Sequence, residues 1–260
     1  MSEAIEVCHL SVVRQKREIL HDVTLTIGAG RMVSIVGPNG CGKSTLLKTL
    51  SRMIPISAGT VRILGRDIHS FGRKELARHV AVLPQVHPLP EDMTVRELAA
   101  LGRFPYRSLY RPSSREDAVY IDKALHAVHL EEEGDTLLQH LSGGEQQRAW
   151  LAMLLAQRSP VLLLDEPATY LDIRHQLHMM KLLQHINEKL GLTIVIVLHD
   201  MNQALRYTQQ SIVMNQGRIV CAGPSQHVLT PERIQQVFGV RTERVTTADG
   251  QHALIPIDIE

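Results

Sequence analysis

The sequence predicts an α/β fold with a mainly parallel sheet, an N-terminal antiparallel β portion and an inserted α-helical subdomain. Apolar, β-branched runs alternate with helical patterns, which is typical of parallel strands joined by crossover helices. Short strand-and-turn patterns fill the first part of the chain. A helical stretch from about Thr94 to Gln157 then interrupts the alternation. We therefore expect a single domain over residues 1–260, with an α/β core at 1–86 and 160–260 and a helical subdomain at 87–159.

The individual elements follow from local patterns. Thr94 with Glu97 forms the pattern of a capping box, and Ser114 with Asp117 forms a weaker version. Residues 103–112 lie between these two starts and are predicted to form a loop. The expected strands are 5–12, 23–27, 31–36, 60–64, 80–83, 161–165, 192–198, a hairpin of 211–215 with 218–222, and a last strand at 252–257. The expected helices are 43–52, one beginning at Thr94, 118–128, 143–157 and 173–190.

Composition limits the possible classes of function. The 260 residues are 44% hydrophobic, which allows a sizeable core, and the net charge is +1 from 28 basic and 27 acidic side chains. Nucleic-acid binders depend on a basic surface, and single-strand binders on aromatic stacking platforms. Aromatic residues make up only 3% of the chain. We therefore expect no nucleic-acid partner.

The cysteines and the hydropathy indicate a cellular setting. Cys8, Cys41 and Cys221 are far apart and odd in number, with no metal-ligand or disulfide spacing. A reducing cytosol is the simplest environment for such a set. No apolar run approaches the ~20 residues that span a bilayer, and no signal peptide is recognisable. The sequence predicts a soluble chain that is able to dock on a membrane protein.

The stretch from Gly37 to Thr45 is the most informative motif. It fits a glycine, four residues, then Gly-Lys-Ser/Thr, between a predicted strand and a predicted helix. Glycines let backbone N–H groups point at phosphate oxygens, Lys43 reaches the β- and γ-phosphates, and the Ser44 hydroxyl ligates Mg²⁺. The alternative is a glycine turn that merely precedes a helix. The predicted phosphate-binding residues are Asn39, Gly40, Cys41, Gly42, Lys43, Ser44 and Thr45.

Two acidic residues follow the buried run at 161–164. A carboxylate at the end of such a strand, beside a phosphate loop, is suited to hold Mg²⁺, and this is the role predicted for Asp165. Glu166, one residue further, is placed to polarise an attacking water. The alternative is a solvated acidic turn, which is common in proteins. The presence of a phosphate loop in the same chain favours the functional interpretation.

The evidence for the other candidate site residues is weaker when each is taken alone. Ser142, Gly143 and Gly144 open a predicted helix, where free N–H groups and a hydroxyl form a second anion site or simply a helix cap. His199 follows the apolar run 193–198 and is predicted to hydrogen-bond a terminal phosphate, although a lone histidine there is more often a turn residue. Gln85 is predicted to ligate Mg²⁺ and to orient water. His175, His178 and His185 are interpreted as surface histidines.

These motifs, in this order, resemble the nucleotide-binding subunits of ATP-binding cassette (ABC) transporters over nearly the whole chain. The resemblance rests on the phosphate loop, Gln85, Leu141-Ser142-Gly143-Gly144, Leu164-Asp165-Glu166-Pro167, Leu171-Asp172 and His199. Within that family the chain is most similar to ATPases of iron-chelate importers. The segments that carry this are Gly102-Arg103-Phe104-Pro105-Tyr106, Gln147-Arg148-Ala149-Trp150, Leu171-Asp172-Ile173-Arg174-His175-Gln176 and Leu198-His199-Asp200-Met201-Asn202-Gln203-Ala204.

The resemblance implies a P-loop ABC ATPase core that binds ATP and Mg²⁺ and works as a head-to-tail homodimer. Ser142 to Gly144 of one copy would close over ATP held by Lys43 of the other, with Asp172 at the same interface. The helical subdomain and the region near Gln85 would dock an integral membrane permease at the cytoplasmic face, and a substrate-binding protein would act indirectly. Glu166, His199 and Gln85 would be catalytic. The cargo implied is a ferric siderophore, with haem or cobalamin as alternatives.

The chain departs from the family pattern at three places. No aromatic residue lies near Arg14 to stack on adenine, so the guanidinium is a possible substitute. Glu145 replaces the usual glutamine after the two glycines and is predicted to accept a ribose hydroxyl, although it cannot donate as glutamine can. Ala168 stands where threonine or serine is common. The rival classes are a soluble ABC ATPase of DNA repair or translation and a non-enzymatic nucleotide-binding regulator.

Overall fold

The computed structural model describes residues 3–85, 92–107, 114–169, 171–248 and 250–259. Its strands are β1 (Glu3–Arg14), β2 (Arg17–Gly28), β3 (Met32–Val36), β4 (Ala58–Ile63), β5 (Arg66–Asp67), β6 (Val80–Leu83), β7 (Val161–Asp165), β8 (Thr193–Val197), β9 (Gln210–Asn215), β10 (Arg218–Pro224), β11 (Val240–Thr246) and β12 (His252–Ile259). Its α-helices are α1 (Lys43–Leu50), α2 (Arg73–His79), α3 (Val95–Leu101), α4 (Arg115–Ala127), α5 (Gly143–Ala156), α6 (Ile173–Leu190), α7 (Met201–Tyr207), α8 (Ser225–Val228) and α9 (Pro231–Phe238).

The chain divides into two compact units, one formed by Met1–Ser70 with Thr193–Glu260 and one by Phe71–Leu192. The predicted helical subdomain at 87–159 falls within the second unit. Its predicted first boundary, between 86 and 87, lies outside the described residues, so these domain limits stay a prediction.

The N-terminal strands of the first unit form an antiparallel sheet with the order β2-β1-β4-β5. Apolar residues alternate along β2 and point to one buried face, as expected for a half-buried strand. Gln15 and Lys16 both adopt left-handed backbone conformations, with φ of 47° and 65°, and connect β1 to β2. This pair of positive φ angles matches the two-residue hairpin turn whose twist suits antiparallel strands. The predicted antiparallel β portion is confirmed.

The parallel part of the first unit surrounds β3. This strand pairs in parallel with β8 on one side and with β9 on the other, and β10 continues antiparallel from β9. All five residues of β3 and all five of β8 are buried. Strands that are covered on both faces read as continuous apolar runs, which is why the sequence pattern located them. The predicted hairpin turn at Gln216 and Gly217 is present, with φ of 45° and 75°.

The second unit combines β6 and β7, which pair in parallel, with helices α2 to α6. Helices α3, α4 and α5 pack against one another, and the 3-10 turn Phe104–Tyr106 packs on α2. Both predicted capping boxes are present. Thr94 Oγ1 accepts from Glu97 N at 3.2 Å, and Ser114 Oγ accepts from Asp117 N at 3.1 Å. Residues 108–112 of the predicted loop lie outside the described residues.

The C-terminal strands β11 and β12 form an antiparallel pair in the first unit. Asn202 connects α7 to β12 through two hydrogen bonds. Its Nδ2 donates to Leu254 O at 3.1 Å, and its Oδ1 accepts from Leu254 N at 2.7 Å. The sequence predicted β12 but not β11. In the portion of the chain that the structure describes, no helix has the length and apolar character required to cross a membrane.

Candidate nucleotide-binding site

The phosphate loop joins β3 to α1 in the first unit. Gly42 is the residue before α1 and has a φ of 106°, and Gly40 has a φ of 75°. Both conformations are left-handed and favour glycine. The first turn of α1 contains no acidic residue. Its N–H groups and the positive end of the helix dipole therefore form a site for an anion rather than for the protein's own carboxylates.

Lys43 follows this loop as the first residue of α1. Its side chain is buried, and its Nζ donates to Gly37 O at 2.8 Å and to Pro38 O at 3.0 Å. A buried ammonium group is stable only where it has acceptors, and here the loop carbonyls provide them. Phosphate oxygens would offer the same ammonium better acceptors because they carry negative charge.

The loop is fixed by close packing from other parts of the first unit. A Cβ atom on Gly37 would lie 2.2 Å from Met214 O, and one on Gly42 would lie 2.8 Å from Leu20 Cδ2. Gly217 N, in the turn between β9 and β10, donates to Cys41 O at 3.0 Å. Burial raises the pKa of the Cys41 thiol, so this side chain stays neutral near pH 7. The predicted binding residues from Asn39 to Thr45 therefore form one preorganised segment, which is the loop and the first turn of α1.

His199 lies in the first unit as well, two residues beyond the end of β8. It is exposed, and it directly precedes Asp200, whose carboxylate accepts from Asn202 N at 2.7 Å at the start of α7. The carboxyl ends of parallel strands are where α/β sheets bind their ligands. The position of His199 fits the predicted phosphate contact, and its catalytic role stays a prediction.

The second unit brings Gln85 and Glu166 together. Gln85 Nε2 donates to Glu166 Oε2 at 2.8 Å, and Thr169 Oγ1 donates to the same oxygen at 3.1 Å. Glu166 has a φ of 56°, which is uncommon for a residue other than glycine. Strain of this kind is often found where a side chain must be held for chemistry. Asp165, which ends β7, is 1% exposed.

Ser142 and Glu145 form a reciprocal cap at the start of α5. Glu145 Oε2 accepts from Ser142 N at 2.8 Å and from Ser142 Oγ at 2.7 Å. These hydrogen bonds from the Ser142 hydroxyl and N–H lower the pKa of the Glu145 carboxyl, which is therefore ionised near pH 7. Glu145 thus orients the signature turn, Ser142 to Gly144. Its predicted contact with a ribose hydroxyl stays a prediction.

His175 contacts the signature turn, which the sequence interpretation of a surface histidine did not include. Its Nδ1 lies 2.8 Å from Asp172 Oδ1, and a Cβ atom on Gly144 would lie 2.3 Å from its Cδ2. Its side chain is 35% exposed, so the ring is partly buried. The available signal was its place in the segment Leu171–Gln176, three residues after Asp172. Thr169 was also missed, although it lies three residues after Glu166.

The residues predicted to hold Mg²⁺ have suitable chemistry. Among the residues that the structure describes, no cluster of three or more histidine, cysteine or acidic side chains is arranged to hold a metal. The predicted ligands are instead the Ser44 hydroxyl, the Gln85 amide oxygen and the Asp165 carboxylate, which are the oxygen donors that Mg²⁺ prefers. Gln85 uses its Nε2 to bind Glu166, so its Oε1 remains an acceptor.

Comparison with known families matches residues 20–169, more than half of the chain, to the ABC transporter family. The chain belongs to this family. Among its relatives, it is 43% identical over 239 residues to the petrobactin import ATP-binding protein of Bacillus anthracis, covering 92% of this chain and 88% of that protein. It is 42% identical over 230 residues to the iron(3+)-hydroxamate import ATP-binding protein of Bacillus subtilis, covering 88% and 86%.

Solved structures agree with this ABC assignment. An ABC transporter assigned to the metal-chelate type, in an inward-facing conformation, has a TM-score of 0.87 at 22% identity over 99% of this chain and 98% of that chain. At that identity the likeness shows the fold alone. A dimeric ATP-binding cassette with ADP and phosphate bound has a TM-score of 0.73 at 28% identity, covering 85% and 98%. The predicted family, fold class and ATPase activity of this ABC protein are confirmed.

Proposed function

We propose that this ABC ATPase energises the import of an iron chelate, most specifically a ferric siderophore, through a membrane permease. Support for the cargo class comes from its relatives, which are named for petrobactin and iron(3+)-hydroxamate import and match it over most of their length. Haem and cobalamin remain the alternative cargoes, because a permease and a binding protein select what is carried. A cobalamin import ATP-binding protein of Halobacterium salinarum is 35% identical over 237 residues.

The hydrogen bond between Gln85 and Glu166 is the observation that carries the proposed hydrolytic role of this site. A carboxylate held by two donors keeps one orientation, as a group that orients an attacking water must. Lys43 and the loop N–H groups would bind the β- and γ-phosphates, and His199 would contact the γ-phosphate. Mg²⁺ held by Ser44, Gln85 and Asp165 would neutralise charge on the phosphate oxygens.

The signature turn of a second copy would complete each site. The helix start at Ser142 to Gly144 presents N-terminal N–H groups, which are suited to a γ-phosphate. The ATP held by the Lys43 loop of one copy would therefore be enclosed by the turn of the other. Enclosure excludes water and aligns the phosphates, and reopening after hydrolysis would reset the permease. In this proposal the dimer lies at the cytoplasmic face of the membrane.

An exposed aromatic turn in the second unit supports permease docking. Phe104 is 64% exposed, and Leu101 is 46% exposed three residues earlier. The Lys74 ammonium lies 5.2 Å from the centre of the Phe104 ring. Aromatic side chains are enriched at protein interfaces. Cysteines placed at Phe104 and near Gln85 should crosslink to a membrane permease, whereas crosslinks only to DNA-bound or ribosomal proteins would contradict the transporter role.

The hydrolytic role is tested by Glu166→Gln. The amide cannot accept the proton of water, so turnover should fall by about 100-fold or more while ATP binding is kept. ATP should then trap a dimer that size-exclusion chromatography detects. Parental turnover in this variant would show that Glu166 is not the base.

The cargo is tested in cells that lack the gene. Uptake of ⁵⁵Fe-loaded siderophores should be lost, and the wild-type gene but not the Glu166→Gln form should restore it. Loss of haem or cobalamin uptake instead, with siderophore uptake intact, would assign the chain to the alternative cargo.

A further inference from the structure

We propose that His175 is a positioning residue that joins the signature turn to Asp172, so that both enter the partner copy's ATP site as one rigid element. This inference rests on the proposed head-to-tail dimer. It assigns a role to a histidine that the site chemistry above does not use, and the ligand concerned is the ATP bound by a second copy of this chain.

The contacts of His175 connect two helix starts. Its Nδ1 shares a hydrogen bond with Asp172 Oδ1 at 2.8 Å, and its backbone N donates to the same oxygen at 2.8 Å. Because the acceptor is a carboxylate, Nδ1 carries the proton. These bonds fix the imidazole at the start of α6 and lower the pKa of the Asp172 carboxyl, which stays ionised.

The other side of the ring packs on the start of α5. A Cβ atom on Gly144 would lie 2.3 Å from His175 Cδ2, 3.0 Å from Cγ and 3.1 Å from Nε2. The imidazole, with its Cδ2 atom foremost, therefore occupies the space that a side chain at position 144 would fill. Position 144 must therefore lack a side chain to leave room for the His175 ring. Leu171 lies near the same turn, since its Cδ2 would be 3.9 Å from a Cβ on Gly143.

Two further side chains hold the same turn from within α5. Glu145 caps Ser142, as described above, and Gln146 Nε2 donates to Leu141 O at 3.1 Å. These contacts are local to α5 and would persist if α6 moved. The contacts of His175, by contrast, tie the turn to the Asp172 segment. Removing the imidazole should therefore let the signature turn move relative to the Asp172 segment without unfolding either helix.

The consequence appears in the partner's site rather than in the variant chain's own. ATP binds first to the Lys43 loop, which His175 does not build. Closure of the dimer then requires the signature turn to meet the γ-phosphate in one geometry. A more mobile turn must lose more conformational freedom to reach that geometry, so dimer closure becomes less favourable. His175→Ala should leave nucleotide binding to the open form unchanged and should weaken dimer closure.

The test measures ATP-dependent dimerisation in the Glu166→Gln background. Adding His175→Ala should raise the ATP concentration at the midpoint of dimer formation by about fivefold, the effect of losing one ordinary hydrogen-bonded contact. The affinity of the open form for a fluorescent ADP analogue should not change. His178→Ala, an exposed histidine on the same helix, is the matched control and should behave like its parent.

A mixing experiment checks that the effect acts in trans. Lys43→Ala chains cannot bind ATP, but each has an intact signature turn. Added in excess, they should restore turnover to His175→Ala chains, because the His175→Ala chain then holds ATP and its partner supplies the turn. Chains that carry both substitutions should fail to restore it. An unchanged dimerisation midpoint for His175→Ala, or equal rescue by both helpers, would overturn this inference alone. Failure of Glu166→Gln itself to dimerise with ATP would overturn the proposed dimer and this inference together.

Discussion

Arg103→Ala should destabilise the second unit strongly, because Arg103 is the centre of a buried polar cluster. Its Nε donates to Asp117 Oδ1 at 2.7 Å, and its Nη1 donates to Ala156 O at 2.8 Å. The two charged side chains are only 4% and 9% exposed. The guanidinium also lies 4.0 Å from the centre of the Tyr106 ring and 4.6 Å from that of Tyr120.

The magnitude follows from these contacts. Removing one partner of a buried ion pair costs about 3–5 kcal/mol, because the other charge stays buried without compensation. The two ring contacts contribute to the same desolvated cluster, so their energies overlap with this loss. We expect the free energy of unfolding to fall by about 4 kcal/mol. For a chain of this size that lowers Tm by roughly 8–16 °C.

The assay is thermal and urea unfolding at pH 7.5, followed by circular dichroism. Arg158→Ala is the matched control, since its guanidinium lies 4.3 Å from the centre of the same Tyr120 ring and it is exposed. That control should lose no more than about 1 kcal/mol. Replacing both Arg103 and Asp117 by leucine should recover most of the stability, because no unpaired charge remains.

The pH dependence gives an independent check. Burial raises the pKa of the Asp117 carboxyl, but hydrogen bonds from Arg103 and Ser114 outweigh this effect and lower the pKa overall. The pair therefore stabilises the fold above the ordinary aspartate pKa, and this contribution disappears as the pH falls through the lowered value. The difference in the free energy of unfolding between wild type and Asp117→Asn should shrink on acidification.

The result that would refute this reasoning concerns Arg103→Ala at pH 7.5. A loss of less than about 1 kcal/mol in its free energy of unfolding would show that the buried pair does not stabilise the second unit as argued.

Two predictions concern the site itself. Glu145→Ala removes the acceptor for the Ser142 N–H and hydroxyl, so the ATPase rate should fall about threefold or more. Glu145→Gln keeps an acceptor oxygen, so its ATPase rate should stay within about twofold of the parental rate. A parental rate for the alanine variant would contradict the capping role. Thr169→Val removes a donor to Glu166, so kcat should fall about three- to tenfold with KM for ATP unchanged, and Thr169→Ser should restore it. Steady-state phosphate release measures both, and a higher KM without a change in kcat would argue against Thr169 orienting the carboxylate.

Local sequence determined most of the elements and the chemistry of the phosphate loop. The capping boxes at Thr94 and Ser114 join residues three positions apart, so the sequence pattern contained both partners. The mainly apolar, β-branched runs of β3 and β8 marked buried strands, because a strand covered on both faces is apolar along its whole length. The motif from Gly37 to Ser44 fixed the loop, because its glycines are needed by the local backbone. The order of these motifs was enough to identify the ABC family.

The tertiary structure decided which distant side chains meet. Gln85 and Glu166 are separated by 81 residues, yet they share a hydrogen bond because β6 and β7 pair in parallel and end at the same edge. Arg103, predicted to lie in a loop, is buried because Asp117 and Ala156 O supply its partners. Such pairings depend on packing between elements, which no local pattern of hydropathy records. The sequence by itself therefore determined the family and the ATP-binding chemistry, and only the folded chain decided how Glu166 and the signature turn are held.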